Sequence, residues 1–202
     1  MEQKDFKKIV WKPTAIVNPV PPSLVTCGTL EKPNVLTIAW TGILNTKPTM
    51  TYISVRPERY SYDFIDKSGE FVINLATKDL VKSVDFCGVR SGSKVNKFKE
   101  TGLTPLMAQK VNAPIIKECP INIECKVKQK MELGSHHMFM AEIVCVNVDE
   151  SLVDKNGKLH LDKSGLLAYA HGEYFELGKK LGSFGYSVMK KKTAKRKNYK
   201  QK

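Results

Sequence analysis

Short runs of alternating or β-branched residues, separated by proline, glycine and asparagine, constrain the fold of this chain most strongly. Between residues 121 and 127 the alternation is strict, with apolar side chains at Ile121, Ile123, Cys125 and Val127. The polar positions between them fall on the opposite face of a strand. A strand with one apolar and one wet face is typical of an antiparallel sheet. The pattern predicts a mainly β fold with short helices.

Eight segments share this character and are predicted as strands. They are Leu24–Leu30, Val35–Thr41, Met50–Val55, Phe71–Leu75, Ile121–Lys128, Met138–Val148, Leu166–Ala170 and Tyr174–Leu177.

Two helices are predicted between these strands. The first covers Glu58–Lys67, because Pro57 suits a first helical position and Gly69 follows the last apolar residues as a C-terminal stop. The second covers Lys78–Phe86 behind Thr77 as an N-cap. Its end leads into a loop that begins at Cys87.

The size and composition favour one domain in a reducing compartment. With 202 residues, 42% of them hydrophobic, the chain can bury a sizeable core. We expect a folded domain over 1–189, no membrane segment and a cytoplasmic location, since neither a signal sequence nor a long apolar run is present. Five scattered cysteines, an odd number, predict free thiols, and no spacing predicts a metal site.

Basic residues are concentrated at the end of the chain. The net charge is +13, but residues 190–202 contain eight Lys or Arg and no acid. Such a block repels itself and lacks apolar residues, so a disordered tail is predicted. Contact with nucleic acid is expected to be nonspecific, because no aromatic residues are interleaved as in a folded nucleic-acid module.

Two clusters of hydroxyl and cationic residues suit a bound phosphate monoester. One is Ser54-Val55-Arg56, and the other runs from Cys87 through Ser91 to Lys94. A doubly charged phosphate needs fixed donors and compensating charge. Each cluster taken separately is better explained as a solvated turn, so the pair and its order carry the hypothesis.

Six separated segments, taken in order, resemble the flavin reductase-like, flavoredoxin-type family of FMN-binding split barrels. They are the segments 34–41, 54–61, 69–75, 91–98, 134–136 and 181–187, and they extend over nearly the whole chain. The resemblance implies an FMN-binding split β-barrel that forms a homodimer.

By the same resemblance, particular residues are expected to contact FMN. The expected contacts are Thr37, Ile38, Ala39, Trp40 and Thr41 along the flavin ring, Ser54, Val55, Arg56, Tyr60 and Ser61 towards the ribityl phosphate, Asn74 at the flavin edge, and Cys87, Gly88, Ser91 and Lys94 around the phosphate. For Asn74 the alternative is that its side chain satisfies a local backbone group.

His136 is the expected catalytic residue, because Gly134-Ser135-His136 resembles the family segment whose histidine lies near the flavin. A histidine there can orient a nicotinamide or transfer a proton. His137 follows directly, and alternation along a strand sends the two rings to opposite faces. Only one of them is therefore expected to face the flavin.

The resemblance implies an oxidoreductase that passes electrons from NAD(P)H through FMN. No dinucleotide-binding Gly-x-Gly-x-x-Gly occurs, so a nicotinamide cofactor would have to enter the flavin pocket itself. Two alternatives remain open at the level of sequence. One is a flavoredoxin-type FMN electron carrier that serves protein redox partners, and the other is a non-redox barrel that binds a different phosphorylated ligand.

Overall fold

A computed structural model describes residues 8–189 and shows a mainly β protein, as predicted. The strands are β1 Ser23–Gly28, β2 Pro33–Ile38, β3 Thr41–Thr46, β4 Thr49–Val55, β5 Glu70–Leu75, β6 Pro105–Leu106, β7 Ile115–Ile116, β8 Ile121–Glu132, β9 His137–Val148, β10 Leu167–Ala170 and β11 Glu173–Glu176. The helices are α1 Tyr60–Ser68, α2 Val81–Val89 and α3 Lys97–Thr101, with 3₁₀ turns at Lys78–Leu80, Glu150–Leu152, Leu161–Lys163 and Tyr186–Val188.

The central feature is a seven-stranded sheet whose two edges are joined by one short link. The strand order is β2-β1-β5-β8-β9-β4-β3, and every pairing is antiparallel. β2 and β3 lie at opposite ends of this order, yet only Ala39 and Trp40 separate them in the chain. The sheet must therefore curl until its edges meet. The Ser54 amide donates to the Trp40 carbonyl at 2.9 Å and holds the link against β4.

The main hydrophobic core fills the inside of this barrel. Phe71 and Phe139 are its largest fully buried side chains, and Ile65 of α1 closes it from one end. A second core lies on the outside of β1 and β2, where α2 and α3 pack through Val84 and Phe98. Burial of each large apolar side chain contributes roughly 1.5–3 kcal/mol. The two helices thus keep the loop between them close to the end of β2.

All eight predicted strands are present, although several boundaries differ, and one of these differences changes the topology. The strand expected over Val35–Thr41 ends at Ile38, and the unpredicted strand β3 begins at Thr41. The reason is the closure of the barrel, which requires the chain to leave one edge of the sheet and join the other. Such a bend is set by long-range pairing and leaves no signal in the local pattern.

Both predicted helices are confirmed, with shifted starts. α1 begins at Tyr60, because Pro57 and Glu58 form a turn before it, and Gly69 ends it in the left-handed conformation (φ 66°) by donating to the Ile65 carbonyl. The second region starts as a 3₁₀ turn at Lys78 and continues as α2 to Val89. The short helix α3 was not predicted.

The polar face of β8 is wet only in part, contrary to the prediction. Asn122 and Glu124 are buried, because β7 and the segment before it cover them, whereas Lys126 is exposed. Glu124 accepts hydrogen bonds from the backbone amides of Gln109 and Lys110 at 2.9 and 2.6 Å and from Asn147 Nδ2 at 2.8 Å. A buried carboxylate persists only with such a set of donors. The prediction failed because the covering segment is distant in sequence.

Several expectations concern absences or the chain ends. The five cysteines are free. Over residues 8–189 no helix is long and apolar enough to cross a bilayer, and that range contains no metal-binding cluster of His, Cys, Asp and Glu. The predicted basic tail at 190–202 lies outside the described residues.

The buried Glu124 yields a stability prediction. In Glu124→Gln either orientation of the new amide places its NH₂ group against one of the two backbone donors, Gln109 or Lys110. We expect the free energy of unfolding to fall by about 1–3 kcal/mol, the cost of an unsatisfied buried donor. Urea unfolding of Glu142→Gln is the control, because Glu142 pairs with the surface residue Lys128. Equal stability of the two variants would contradict the buried network.

Candidate functional site

A cleft opens at the link that closes the barrel. Its larger part, the ring cavity, has a volume of about 350 Å³ and lies between the end of β2, the end of β4, the start of β9 and the C-terminal end of α2. Its smaller part, the anion cavity, has a volume of about 200 Å³ and extends towards the N-terminus of α1. The two parts share Leu36, Thr37, Arg56, Arg59 and Gly88 and are therefore continuous.

The structure brings twelve of the sixteen predicted site residues to this cleft. The ring cavity is lined by Thr37, Ile38, Ala39, Trp40, Ser54, Val55, Arg56, Gly88 and His136. The anion cavity adds Tyr60, Ser61 and Ser91.

Asn74 and Cys87 do not line either cavity, contrary to the expectation from the resemblance. The Asn74 amide is fully buried, where it donates to the Leu24 carbonyl and accepts from the Ile116 amide. It therefore has the structural role that was its alternative. Cys87 packs in the outer core, and burial raises the pKa of its thiol to about 11, so only its backbone faces the site region.

Thr41 and Lys94 also lie elsewhere. The Thr41 hydroxyl donates to the Tyr52 carbonyl at 2.6 Å, and its side chain faces a neighbouring cavity. The Lys94 side chain is exposed and is not among the residues that line the ring cavity or the anion cavity. Its loop turns at this point, with the Lys94 amide donating to the Ser91 carbonyl.

Lys97 lines the anion cavity and was missed. Its side chain is only 5% exposed, and its ammonium donates to the carbonyls of Val35 and Cys87 at 2.7 and 2.8 Å. Burial lowers its pKa, because no carboxylate compensates its charge. An ammonium has three protons to donate, and the hydrogen bonds of residues 8–189 account for two. The signal in the sequence was its place in the first turn of a helix behind the N-cap Asn96.

Two arginines were also missed or undervalued. Arg59 donates from a guanidinium nitrogen to the Gly88 carbonyl at 3.0 Å, which ties the start of α1 to the end of α2. Arg90 lines the anion cavity. Together with Arg56 and Lys97 they give the cavity four cationic groups, against the single acid Glu58, which pairs with Arg56 at 2.7 Å. The cavity is therefore suited to an anion.

Hydroxyl groups and backbone geometry complete the anion cavity. Ser61 is buried, and its hydroxyl accepts from Asn34 Nδ2 at 2.6 Å. The neighbouring amides at the N-terminus of α1 have no side-chain cap, which leaves donors for an anion. Gly92 lets the loop approach closely, because a Cβ there would lie 2.2 Å from the Asn34 side-chain oxygen. A larger residue at this position would push the loop away from α1.

The two histidines at the start of β9 point in different directions, as alternation predicted. His136 lies in the ring cavity with its ring centroid 4.2 Å from that of Trp40. Burial lowers its pKa below the ordinary value, and the positive charge of Arg56 lowers it further, so the ring is neutral at pH 7. His137 instead forms a 2.7 Å hydrogen bond between Nδ1 and the Tyr62 hydroxyl, which joins β9 to α1.

The hairpin of β10 and β11 forms the wall of the ring cavity opposite β2. Tyr169, Gly172 and Tyr174 contribute to this wall. Its base is fixed by an ion pair of 2.8 Å between Lys78 and Glu176. The ring cavity is therefore enclosed by aromatic groups on two sides, with Asp85 as the one acidic residue that lines it.

Comparison with known proteins agrees with this architecture. The structure of flavoredoxin from Desulfovibrio vulgaris (Miyazaki F) is similar with a TM-score of 0.84 and 30% sequence identity, over 91% of this chain and 100% of that one. Flavoredoxin from Methanosarcina acetivorans is similar with a TM-score of 0.82 and 28% sequence identity, again over 91% of this chain and 100% of that one. An uncharacterized protein from Archaeoglobus fulgidus is 35% identical over 146 residues, which are 72% of this chain and 81% of the relative.

The predicted fold class is confirmed by these similarities, since the barrel with its single link is the split barrel of flavin reductase-like proteins. The family model described as a flavin reductase like domain matches residues 17–178, which include every element that lines the cleft. The chain therefore belongs to the flavin reductase-like domain family.

Proposed function

We propose that this protein binds FMN in the cleft and acts as an oxidoreductase that takes electrons from NAD(P)H. The observation that carries the proposal is the polarity of the cleft: a cavity with four cationic groups continues into one lined by Trp40, His136 and the backbone of β2. Binding of FMN requires a cationic phosphate site beside a site with apolar and aromatic walls, and the ring cavity has such walls next to two arginines that it shares with the anion cavity. Residues of the cleft fit both.

In this proposal the anion cavity holds the phosphate. Lys97 and the arginines supply charge, while the Ser61 and Ser91 hydroxyls and the amides of α1 supply hydrogen-bond donors. Lys97 replaces Lys94 as the principal lysine. Its ammonium is held by two carbonyls and loses little freedom when an anion binds, whereas the exposed Lys94 must be ordered from solvent.

The ring cavity holds the isoalloxazine against Trp40 and Ala39 and leaves room for the electron donor. When bound, FMN supplies the redox chemistry, namely acceptance of a hydride equivalent. His136 positions the donor as a neutral imidazole, because its lowered pKa removes its charge near pH 7. The free cysteines support the predicted cytoplasmic location, since thiols stay reduced there.

A flavoredoxin-type electron carrier is the second candidate. It is favoured by the two flavoredoxin structures, which align with 91% of this chain. The absorption spectrum of the purified protein separates both redox functions from a barrel that binds another phosphorylated ligand. Both redox functions require bound oxidised flavin, which absorbs at about 450 nm. Anaerobic reduction of that band by NADH or NADPH then separates the reductase from the carrier.

We also propose that the protein forms a homodimer. The described chain exposes apolar side chains on the segments that flank the barrel, with Val10 98% exposed and Leu181 93% exposed. Exposed apolar side chains grouped on such extensions mark a contact surface.

The phosphate assignment predicts a difference between two flavins. Lys97→Met should lower the affinity for FMN about 10- to 100-fold, because a charge-assisted contact is lost, and should lower the affinity for riboflavin much less. Lys94→Met is the matched control and should change the affinity for either flavin less than about threefold, as for an exposed charge. Fluorescence titration measures the affinity of each variant for each flavin. Arg90→Gln repeats the test at an exposed residue of the anion cavity, so no buried group is altered. Equal losses for FMN and riboflavin, or a larger effect at Lys94, would overturn the assignment.

The electron-donor assignment predicts a difference between the two histidines. His136→Ala should retain FMN but slow anaerobic reduction by NAD(P)H at least about tenfold. His137→Ala should keep the rate while lowering thermal stability, because its bond to Tyr62 is lost. Because burial lowers the pKa of His136, protonation of His136 should change the rate of the unmodified protein with a midpoint below the ordinary histidine pKa, and this dependence should vanish in His136→Ala. Stopped-flow bleaching of the flavin band measures the rate of reduction in each variant. Slow reduction in His137→Ala with a normal rate in His136→Ala would assign the role to His137.

The dimer prediction concerns the C-terminal flanking segment. Leu181→Ser combined with Phe184→Ser should raise the dimer dissociation constant at least about tenfold, since two apolar anchors are removed. Leu133→Ser, another exposed leucine on the turn after β8, is the control and should have no effect. Light scattering across a dilution series measures the change. A monomer at every concentration of the unmodified protein would exclude the homodimer.

A further inference from the structure

A third cavity, the neutral chamber, lies on the far side of Trp40 from the anion cavity. Its volume is about 500 Å³, and it is formed by residues 15–20 before β1, the link after β2 and the tip of the β10–β11 hairpin. It shares Ala39, Trp40, Tyr169 and Gly172 with the ring cavity. The shared residues place the neutral chamber directly beside the ring cavity, with Trp40 bordering both.

The walls of the neutral chamber are held together by backbone contacts. Val20 and Tyr169 exchange two backbone hydrogen bonds of 2.9 and 2.8 Å, which fasten the segment before β1 to the hairpin. The hairpin tip is a tight turn with His171 and Gly172 both in the left-handed conformation, at φ 50° and 94°. Such a turn has one defined shape. The chamber is therefore part of the fold and not a gap beside a loose loop.

The chemistry of the neutral chamber differs from that of the anion cavity. None of its eleven lining residues is Lys, Arg, Asp or Glu, whereas four cationic groups line the anion cavity. Three of its lining residues are aromatic, namely Trp40, Tyr52 and Tyr169, and Asn18 and His171 offer polar contacts. Aromatic walls stack on planar rings, and a chamber without fixed charge gives an anion no compensation for lost water.

We propose that the neutral chamber binds an uncharged planar aromatic molecule of one or two rings, such as a quinone. A nicotinamide dinucleotide does not suit it, because its diphosphate would find no cation among the residues of 8–189 that line the chamber. Its use as a second-substrate site rests on the proposed function, since the other substrate would then lie in the ring cavity beyond Trp40. The binding site itself stands on its own lining.

His171 offers a matched pair of variants. Its side chain lines the neutral chamber but neither part of the cleft, and its left-handed backbone suits Asp and Asn alike. H171D and H171N therefore differ in charge with nearly the same size and backbone preference. His171 is exposed at the edge of the chamber, so a carboxylate in H171D would lose only part of its water when a ring binds beside it.

The test uses the full chain carrying Trp11→Phe, so that Trp40 is the one tryptophan left. Its fluorescence is titrated with 2-methyl-1,4-naphthoquinone and with anionic 1,4-naphthoquinone-2-sulfonate, before and after saturation with FMN. We expect saturable quenching by the neutral quinone and at least about tenfold weaker affinity for the sulfonate. The affinity for the neutral quinone should fall several-fold in H171D but not in H171N.

Three results would overturn the proposal: equal affinity for the two quinones, equal behaviour of H171D and H171N, or displacement of the quinone by FMN, which would place it in the ring cavity. Failure of the proposed function has a separate signature. If the protein binds no FMN but the expected quinone pattern holds, the neutral chamber is established while the flavin assignment fails.

Discussion

The two-residue link between β2 and β3 is the constraint on which the rest of this structure depends. Because Ala39 and Trp40 join opposite edges of one sheet, the sheet must close into a barrel. A continuous ladder would fill this corner with backbone pairing, but the chain changes partners here. The corner therefore stays open, and the cleft forms where the last residues of β2 and β4 meet the start of β9. Trp40 lies at the corner and borders both the ring cavity and the neutral chamber.

The packing of two outer helices then determines the polarity of the cleft. α2 and α3 cover the outside of β1 and β2, and the loop between them returns to the end of β2. Lys97 and Arg59 both donate to carbonyls near the end of α2, so the same groups that supply charge also join the elements. The concentration of cationic groups at the anion-cavity end of the cleft thus follows from the order in which elements meet the barrel.

The sequence was sufficient for most elements whose signal is local, with the short helix α3 as an exception. Alternation identified the eight strands, Gly69 identified the end of α1, and alternation again separated His136 from His137. It failed where distant segments decide the outcome. The buried Glu124 is one case, because its donors come from a covering segment, and the break after Ile38 is another, because barrel closure imposes it. The N-cap Asn96 gave a local reason to place Lys97 on a helix, but its burial beside β2, unlike the exposure of Lys94, is set by tertiary packing.

The buried ammonium of Lys97 couples anion binding in the cleft to the stability of the fold. Its charge is stabilised by two carbonyl dipoles and no carboxylate, so burial lowers its pKa and the fold bears an electrostatic cost. An anion in the adjacent cavity compensates that charge and raises the pKa again. By linkage, a ligand that binds only the folded chain stabilises it. A cation that is costly without a ligand therefore indicates where the ligand carries its negative charge.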